Sequence, residues 1–281
     1  MSTLRAIRKR LHSVQSIQQL TKAMEMVAAS RLHHAHVKAK QSQPYISKVK
    51  EITAHLSALI TDFTHPFFEK RTVNKIGVVI IGSDMGLCGS YNKDVFAAAN
   101  QFLQPYAPSQ YELILVGRKA IDYYRRRQKP IRFQMMEKGE KTTFAQIKTF
   151  ANQLINWFLN GDFDEIWFVY THYDSMISRR VVTQKFLNID PPSKTKTSTE
   201  YLFEPSLTEV YSDVLSRYCL SFVQTAFNEA YASELAARIF AMKAASTNAE
   251  EMIQKLTLVR NKVRQGGITK EMIEITSGSN V

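Results

Sequence analysis

Leu235-Ala-Ala-Arg-Ile239-Phe-Ala-Met242-Lys-Ala-Ala-Ser246-Thr-Asn-Ala249-Glu-Glu-Met-Ile253-Gln-Lys-Leu256-Thr-Leu-Val-Arg260-Asn-Lys-Val263 is the stretch that decides the fold. The nine numbered positions from Leu235 to Val263 alternate steps of 4 and 3 without a slip, and seven of them are apolar. That is the seam of a coiled coil, whose period of 3.5 keeps one stripe facing a partner helix. No Gly or Pro interrupts Ser206 to Gln265. At 1.5 Å per residue such a helix is about 90 Å long, so it neither wraps inside one compact domain nor buries its own stripe.

The partner the chain offers is its own beginning. Leu4, Ile7, Leu11, Val14, Ile17, Leu20, Met24 and Val27 are spaced 3, 4, 3, 3, 3, 4, 3. This reads as a second seam with one three-residue stammer near Val14, which overwinds a supercoil locally. The economical arrangement is a long antiparallel coiled coil of the two terminal helices, over 1–60 and 205–281, with the intervening chain forming a head at one end. The charge is concentrated in the first of them. Of a net +12, residues 1–50 carry ten basic groups against one acid, Glu25, whereas residues 205–281 are balanced.

The middle, 75–190, has a different period. Lys75-Ile-Gly-Val-Val-Ile-Ile-Gly82 and Tyr111-Glu-Leu-Ile-Leu-Val-Gly117 are short β-branched runs of the kind buried on both faces of a parallel sheet. Helices are expected over 91–103, 118–128 and 143–160, and further strands over 131–136, 165–172 and 180–189. Alternating strand and helix predicts an α/β domain, Rossmann-like, with a mostly parallel sheet. Asp190–Thr199 reads as the linker that returns the chain to the coiled coil.

Composition and motif spacing exclude several classes of function. Two cysteines in 281 residues are too few for a secreted disulfide scaffold. The longest apolar runs fall far short of the roughly 20 residues that span a bilayer. The basic start leads into no apolar signal core, and its pattern continues unbroken, so it reads as mature protein. Gly82-Ser-Asp-Met-Gly-Leu-Cys-Gly89 follows the first strand where a phosphate loop would lie. A P-loop needs Gly-Lys where Leu87-Cys88 stands, and a dinucleotide fingerprint needs Gly where Asp84 stands. His33, His34 and His36 lack the Cys, Asp or Glu neighbours of a metal site and read as a solvated basic face. No catalytic residues, cofactor or metal are expected. The alternative is a basic coiled coil that is a structural protein or grips nucleic acid through phosphates, but no Phe, Tyr or Trp precedes Tyr45 to stack on bases.

Three separated motifs, in order, resemble one family. Leu20-Thr-Lys-Ala-Met-Glu-Met-Val-Ala-Ala-Ser30 is similar to the N-terminal helix motif of the gamma subunit of F-type ATP synthases. Ser83-Asp-Met-Gly-Leu-Cys-Gly89 resembles that family's loop after the first strand. Ser233 to Ala249, continuing through Leu256–Gln265 to Ile268–Glu274, resembles its C-terminal helix signature. The resemblance implies a non-catalytic central-stalk rotor, whose coiled coil turns inside a ring of alpha and beta subunits and whose head joins the epsilon subunit and the c ring, with no nucleic acid as partner. It implies contact with the alpha/beta ring at Lys22, Met24, Glu25, Cys88, Arg264, Gln265 and Thr269. Tyr201, Phe203 and Glu204 resemble the foot that meets the c ring and epsilon. With no evident presequence at its basic start, such a subunit is expected to work peripherally at the cytoplasmic face of a bacterial inner membrane.

Overall fold

The computed structural model describes residues 4–59, 66–68, 71–136, 142–189, 204 and 206–278. Its elements, in chain order, are α1 (Leu4–Leu59), a 3-10 turn (Pro66–Phe68), β1 (Ile76–Ile81), α2 (Tyr91–Leu103), β2 (Tyr111–Val116), α3 (Arg118–Arg125), β3 (Ile131–Met135), α4 (Phe144–Leu159), β4 (Glu165–Tyr173), β5 (Arg179–Leu187) and α5 (Leu207–Gly278). The expected linker Asp190–Thr199 lies outside the described residues. No helix among the described residues is long and apolar enough to cross a membrane.

The chain divides into two compact units. One, Ser30–Ala237, holds the sheet; the other joins the two chain ends, Met1–Ala29 with Arg238–Val281. In the sheet unit the strand order is β3-β2-β1-β4-β5. Every pairing is parallel except β4 with β5. β1 is buried at all six positions, as its unbroken β-branched run requires for a central strand covered on both faces. One face packs Val79, Ile81, Ile114, Val116 and Phe168 against α4 and against α5 from Tyr211 to Ala230. The other packs Ile76, Val78, Ile80, Leu113 and Leu115 against α2 and α3. The unit is therefore a three-layer α/β/α sandwich. α4 starts where its sequence says it must. Thr143 Oγ1 accepts from Gln146 N at 3.3 Å and Gln146 Oε1 accepts from Thr143 N at 2.8 Å, a capping box of the type that contributes about 1 kcal/mol.

The unit formed by the chain ends contains two helical segments. α1 leaves it after Ala29 and α5 enters it at Arg238, so the two run in opposite senses. Ile239, Met242 and Ala249 are buried and Ser246, Ile253, Leu256 and Arg260 half-buried, which is the seam the spacing predicts. The pairing ends sooner than expected: Val263 is exposed, and so is every residue from Lys262 to Ser277.

The expected seam of α1 needs correction. Ile7, Val14, Thr21 and Ala28 are buried at steps of seven, with Leu4, Leu11, Gln18 and Glu25 half-buried between them. These alternate 3 and 4 with no stammer. Ile17, Leu20 and Val27 are instead 52, 60 and 51% exposed. Ile7 and Val14 keep larger groups on the inside of α1, but farther along it is held by Thr21 and Ala28, and part of the α5 side by Ser246 and Ala249. There the larger apolar groups of α1, Ile17, Leu20 and Val27, stand on its flank. A hydrophobicity pattern follows the large groups and so drifts off the buried line.

α5 runs 72 residues, straight through Gly266-Gly267. A Cβ on either glycine meets nothing within 4 Å, so steric room inside this chain does not explain them. Replacing both with Ala should raise the stability of the terminal turns by about 1 kcal/mol each. Hydrogen exchange of the amides over 262–276 should slow accordingly; unchanged exchange would contradict the expectation.

Candidate functional site

Physical chemistry separates two surfaces on the unit of the chain ends. Residues 17, 20, 24 and 27 of α1 form a row spaced 3, 4, 3, in which Ile17, Leu20 and Val27 are exposed and Met24 is half-buried. Lys22 beside it is exposed. Glu25 is half-buried and takes the seam position that the apolar spacing gives to Met24. A helix that buries one stripe against its partner and still carries a second apolar row is built to touch something else. The row was legible only as part of the seam. The missed signal was the unbroken 3-4 alternation through Gln18, Thr21 and Glu25.

The second surface is the end of α5. Arg264, Gln265 and Thr269 are all exposed, beyond the end of the seam. The Thr269 hydroxyl donates to the Gln265 carbonyl at 3.0 Å, one turn back, and the side chains of Arg264 and Gln265 stand in solvent. Val263, Ile268, Met272, Ile273 and Ile275 are exposed on the same stretch. The helix end thus offers mixed apolar and polar contacts around its circumference.

Cys88 belongs to the sheet unit, in the β1–α2 loop. The thiol is buried, 3.8 Å from Ser83 Oγ. The loop crosses the carboxyl ends of β1 and β2, where Gly117 N donates to the Met135 carbonyl and Lys119 N donates to the Ser83 carbonyl at 2.9 Å. Asp84 Oδ1 accepts from Arg118 N at 3.1 Å, anchoring the loop to the start of α3. Leu87 has φ +63°, a left-handed conformation unfavourable for a side chain. The result is a loop that turns Met85 and Leu87 outward, 52 and 59% exposed, while hiding the cysteine. Leu87 and Cys88 stand where a phosphate loop carries its second glycine and its lysine.

Tyr201 and Phe203 of the expected foot lie outside the described residues; Glu204 is exposed. The second cysteine, Cys219, is fully buried in the core, and burial pushes its thiol well above the usual range, so it is a packing group rather than a nucleophile. Burial, followed by the charge of Glu229, raises Tyr170 in the same way.

The ATP synthase family profile matches residues 3–281. An ATP synthase gamma chain of Protochlamydia amoebophila (strain UWE25) is 60% identical over 281 residues, which is 99% of each chain. That of Desulfitobacterium hafniense (strain DSM 10664 / DCB-2) is 38% identical over 280 residues, 100% of this chain and 99% of the relative. Among solved structures, the central stalk and c ring of the Tetrahymena thermophila mitochondrial ATP synthase matches with TM-score 0.64 and 25% identity, over 81% of this chain and 99% of that one. The Euglena gracilis mitochondrial ATP synthase, in its OSCP/F1/c-ring structure of rotational state 3, shares the fold with TM-score 0.68 at 19% identity, over 99% and 93% of the two chains.

Proposed function

The chain belongs to the gamma-chain family of F-type ATP synthases, non-catalytic rotor subunits of the central stalk, and we propose that it carries torque on the surfaces described above. The functional parts are the N-terminal helix over 1–60, the α/β domain over 75–190 and the C-terminal helix over 205–281. Its partners are the alpha and beta subunits around the paired helices, and the epsilon subunit and c ring at the foot. Both gamma-chain relatives are bacterial, which supports a peripheral place at the cytoplasmic face of an inner membrane.

The observation that carries this reading is the outward apolar row of α1, Ile17, Leu20, Met24 and Val27, standing beside a seam that is already closed. One charge crossing a membrane yields about 2.3 kcal/mol per 100 mV. Several crossings must therefore accumulate for each ATP, and a contact that slips dissipates them. The row lies on one flank of α1, and turning a shaft of asymmetric outline makes the catalytic subunits inequivalent. The basic groups of residues 1–50 draw acidic partner surfaces by long-range attraction, which falls off smoothly and tolerates sliding. Lys22, Met24 and Glu25 meet the moving segment of beta. Arg264, Gln265 and Thr269 meet the ring near the shaft's tip, and the Cys88 loop, through Met85 and Leu87, meets a beta subunit at one angle. Tyr201, Phe203 and Glu204 form the foot.

Met24→Lys tests the first of these contacts. A hydrated ammonium must then be carried against an apolar partner surface, and ion pumping per ATP hydrolysed should fall about tenfold in membrane vesicles holding the assembled synthase. Wild-type coupling in that variant would remove Met24 from the torque path.

A further inference from the structure

The β1–α2 loop is held by a side chain from outside it. Asn92, in the first turn of α2, is half-buried, and its carboxamide is engaged at both ends. Oδ1 accepts from the backbone N–H of the wholly buried Ser83 at 3.0 Å. Nδ2 donates to Ser83 Oγ at 2.7 Å and to Cys88 Sγ at 3.3 Å. The Ser83 hydroxyl passes the link on, donating to the Met85 carbonyl at 2.7 Å. The Ser83 N–H can only donate, which fixes which end of the amide is the oxygen. One side chain therefore ties down the residues on both sides of Met85 and Leu87, at positions 83 and 88.

We propose that Asn92 is the positioning residue of this loop, holding Met85 and Leu87 as a pre-shaped apolar knob for each encounter with the catalytic ring. The inference rests on the reading that the loop meets the ring. A surface loop left to itself moves on the nanosecond-to-microsecond scale, and each side chain immobilised on contact weakens that contact. A rotor meets the same contact at every turn, so a loop ordered in advance avoids that loss repeatedly. Asn92 touches no partner in this scheme and acts only through the knob.

The test uses the assembled synthase in inverted membrane vesicles, reading ion pumping per ATP hydrolysed. Met85→Ala with Leu87→Ala removes the knob and leaves Asn92 in place. Asn92→Asp keeps the acceptor for Ser83 N–H and removes both donations. Each should lower the coupling ratio, by roughly threefold to tenfold, and Asn92→Asp should add nothing to the knobless variant, as residues acting through one element are non-additive. In the purified full chain, exchange of amides 84–88 should quicken about tenfold or more in Asn92→Asp while that of β4 stays as it was. Normal coupling in Asn92→Asp beside impaired coupling in the knobless variant would overturn the positioning role. So would a loss from Asn92→Asp that is equally large with and without the knob. Normal coupling in the knobless variant would instead overturn the loop contact itself, and this inference with it. If Asn92→Asp fails to assemble, Ser83→Ala breaks only the hydroxyl link. It must show the same non-additive loss, and an additive or silent result would count against the proposal.

Discussion

A Gly117→Ala chain is expected to lose about 4 kcal/mol of unfolding free energy. Gly117 has φ +91°, and a Cβ built on it would lie 2.5 Å from the Gly82 carbonyl oxygen, 2.8 Å from the Gly82 carbonyl carbon and 3.1 Å from that of Ser83. None of these is the end of a flexible side chain. The opposing backbone is itself pinned, with Gly82 N donating to the Val116 carbonyl at 2.8 Å, and a Cβ on Gly82 would already stand 2.9 Å from that of Ala120. The loops after β1 and β2 therefore meet backbone to backbone, and neither can retreat without breaking the parallel ladder beneath. Gly161→Ala is the control, because φ is +78° there but nothing lies within 4 Å; it should cost only the conformational term of about 1–2 kcal/mol. Urea unfolding followed by the fluorescence of Trp157 and Trp167, the chain's two tryptophans, reads both. Equal losses in the two variants would show that the close approach is not what matters.

Val14→Asp should open the pairing of the chain ends, whereas Leu20→Asp should leave it intact. Val14 is buried in the seam at 7% exposure and Leu20 stands at 60%. A carboxylate forced into the seam either stays unpaired or takes up a proton, and the cost is on the order of 3 kcal/mol. At an exposed flank the same change stays within about 0.5 kcal/mol. Hydrogen exchange in the full chain should lose protection over residues 7–28 and 239–256 in Val14→Asp alone. In the assembled synthase the order reverses for partner contact, since Leu20→Asp charges the outward row while keeping the shaft folded. If Leu20→Asp unfolded the pairing as badly as Val14→Asp, the apolar register with its stammer would be right and the buried register wrong.

This contrast marks where sequence reading succeeds and where it stops. β1 and β2 were legible because a two-faced parallel strand must be almost continuously apolar, as Ile76–Ile81 is, and the helices between β1 and β4 because their apolar faces recur at helical spacing. The seam of α5 was legible because Ile239, Met242, Ile253 and Leu256 fall on its buried or half-buried line at unbroken 3-4 spacing, even though Phe240, Met252 and Leu258 stand exposed beside it. On α1 that correspondence fails: Thr21 and Ala28 are buried while Leu20 and Val27 are not. Burial there is set by the room the partner helix leaves, a property of two segments more than 200 residues apart in the chain, which no local period encodes. The helix expected over 205–281 is matched by α5 from Leu207 to Gly278, although two glycines fall inside it. Gly266-Gly267 lowers helix propensity by about 2 kcal/mol together, yet the neighbouring good helix formers carry the helix on to Gly278. The Ser83–Gly89 loop could be named from its motif, with Cys88 as its contact, but the outward turn of Met85 and Leu87 and the hold through Asn92 need the turn to bring residue 92 back over residue 83.

Rotation itself is the most direct measurement. Both native cysteines are buried, so Lys148→Cys, at an exposed position on α4, offers a single reactive thiol for a bead or gold particle. With purified alpha and beta subunits fixed to a surface and this chain assembled into them, ATP should restore hydrolysis and drive the particle around in one direction. Robust hydrolysis with a particle that only jitters in place would mean that these paired ends do not turn as one shaft.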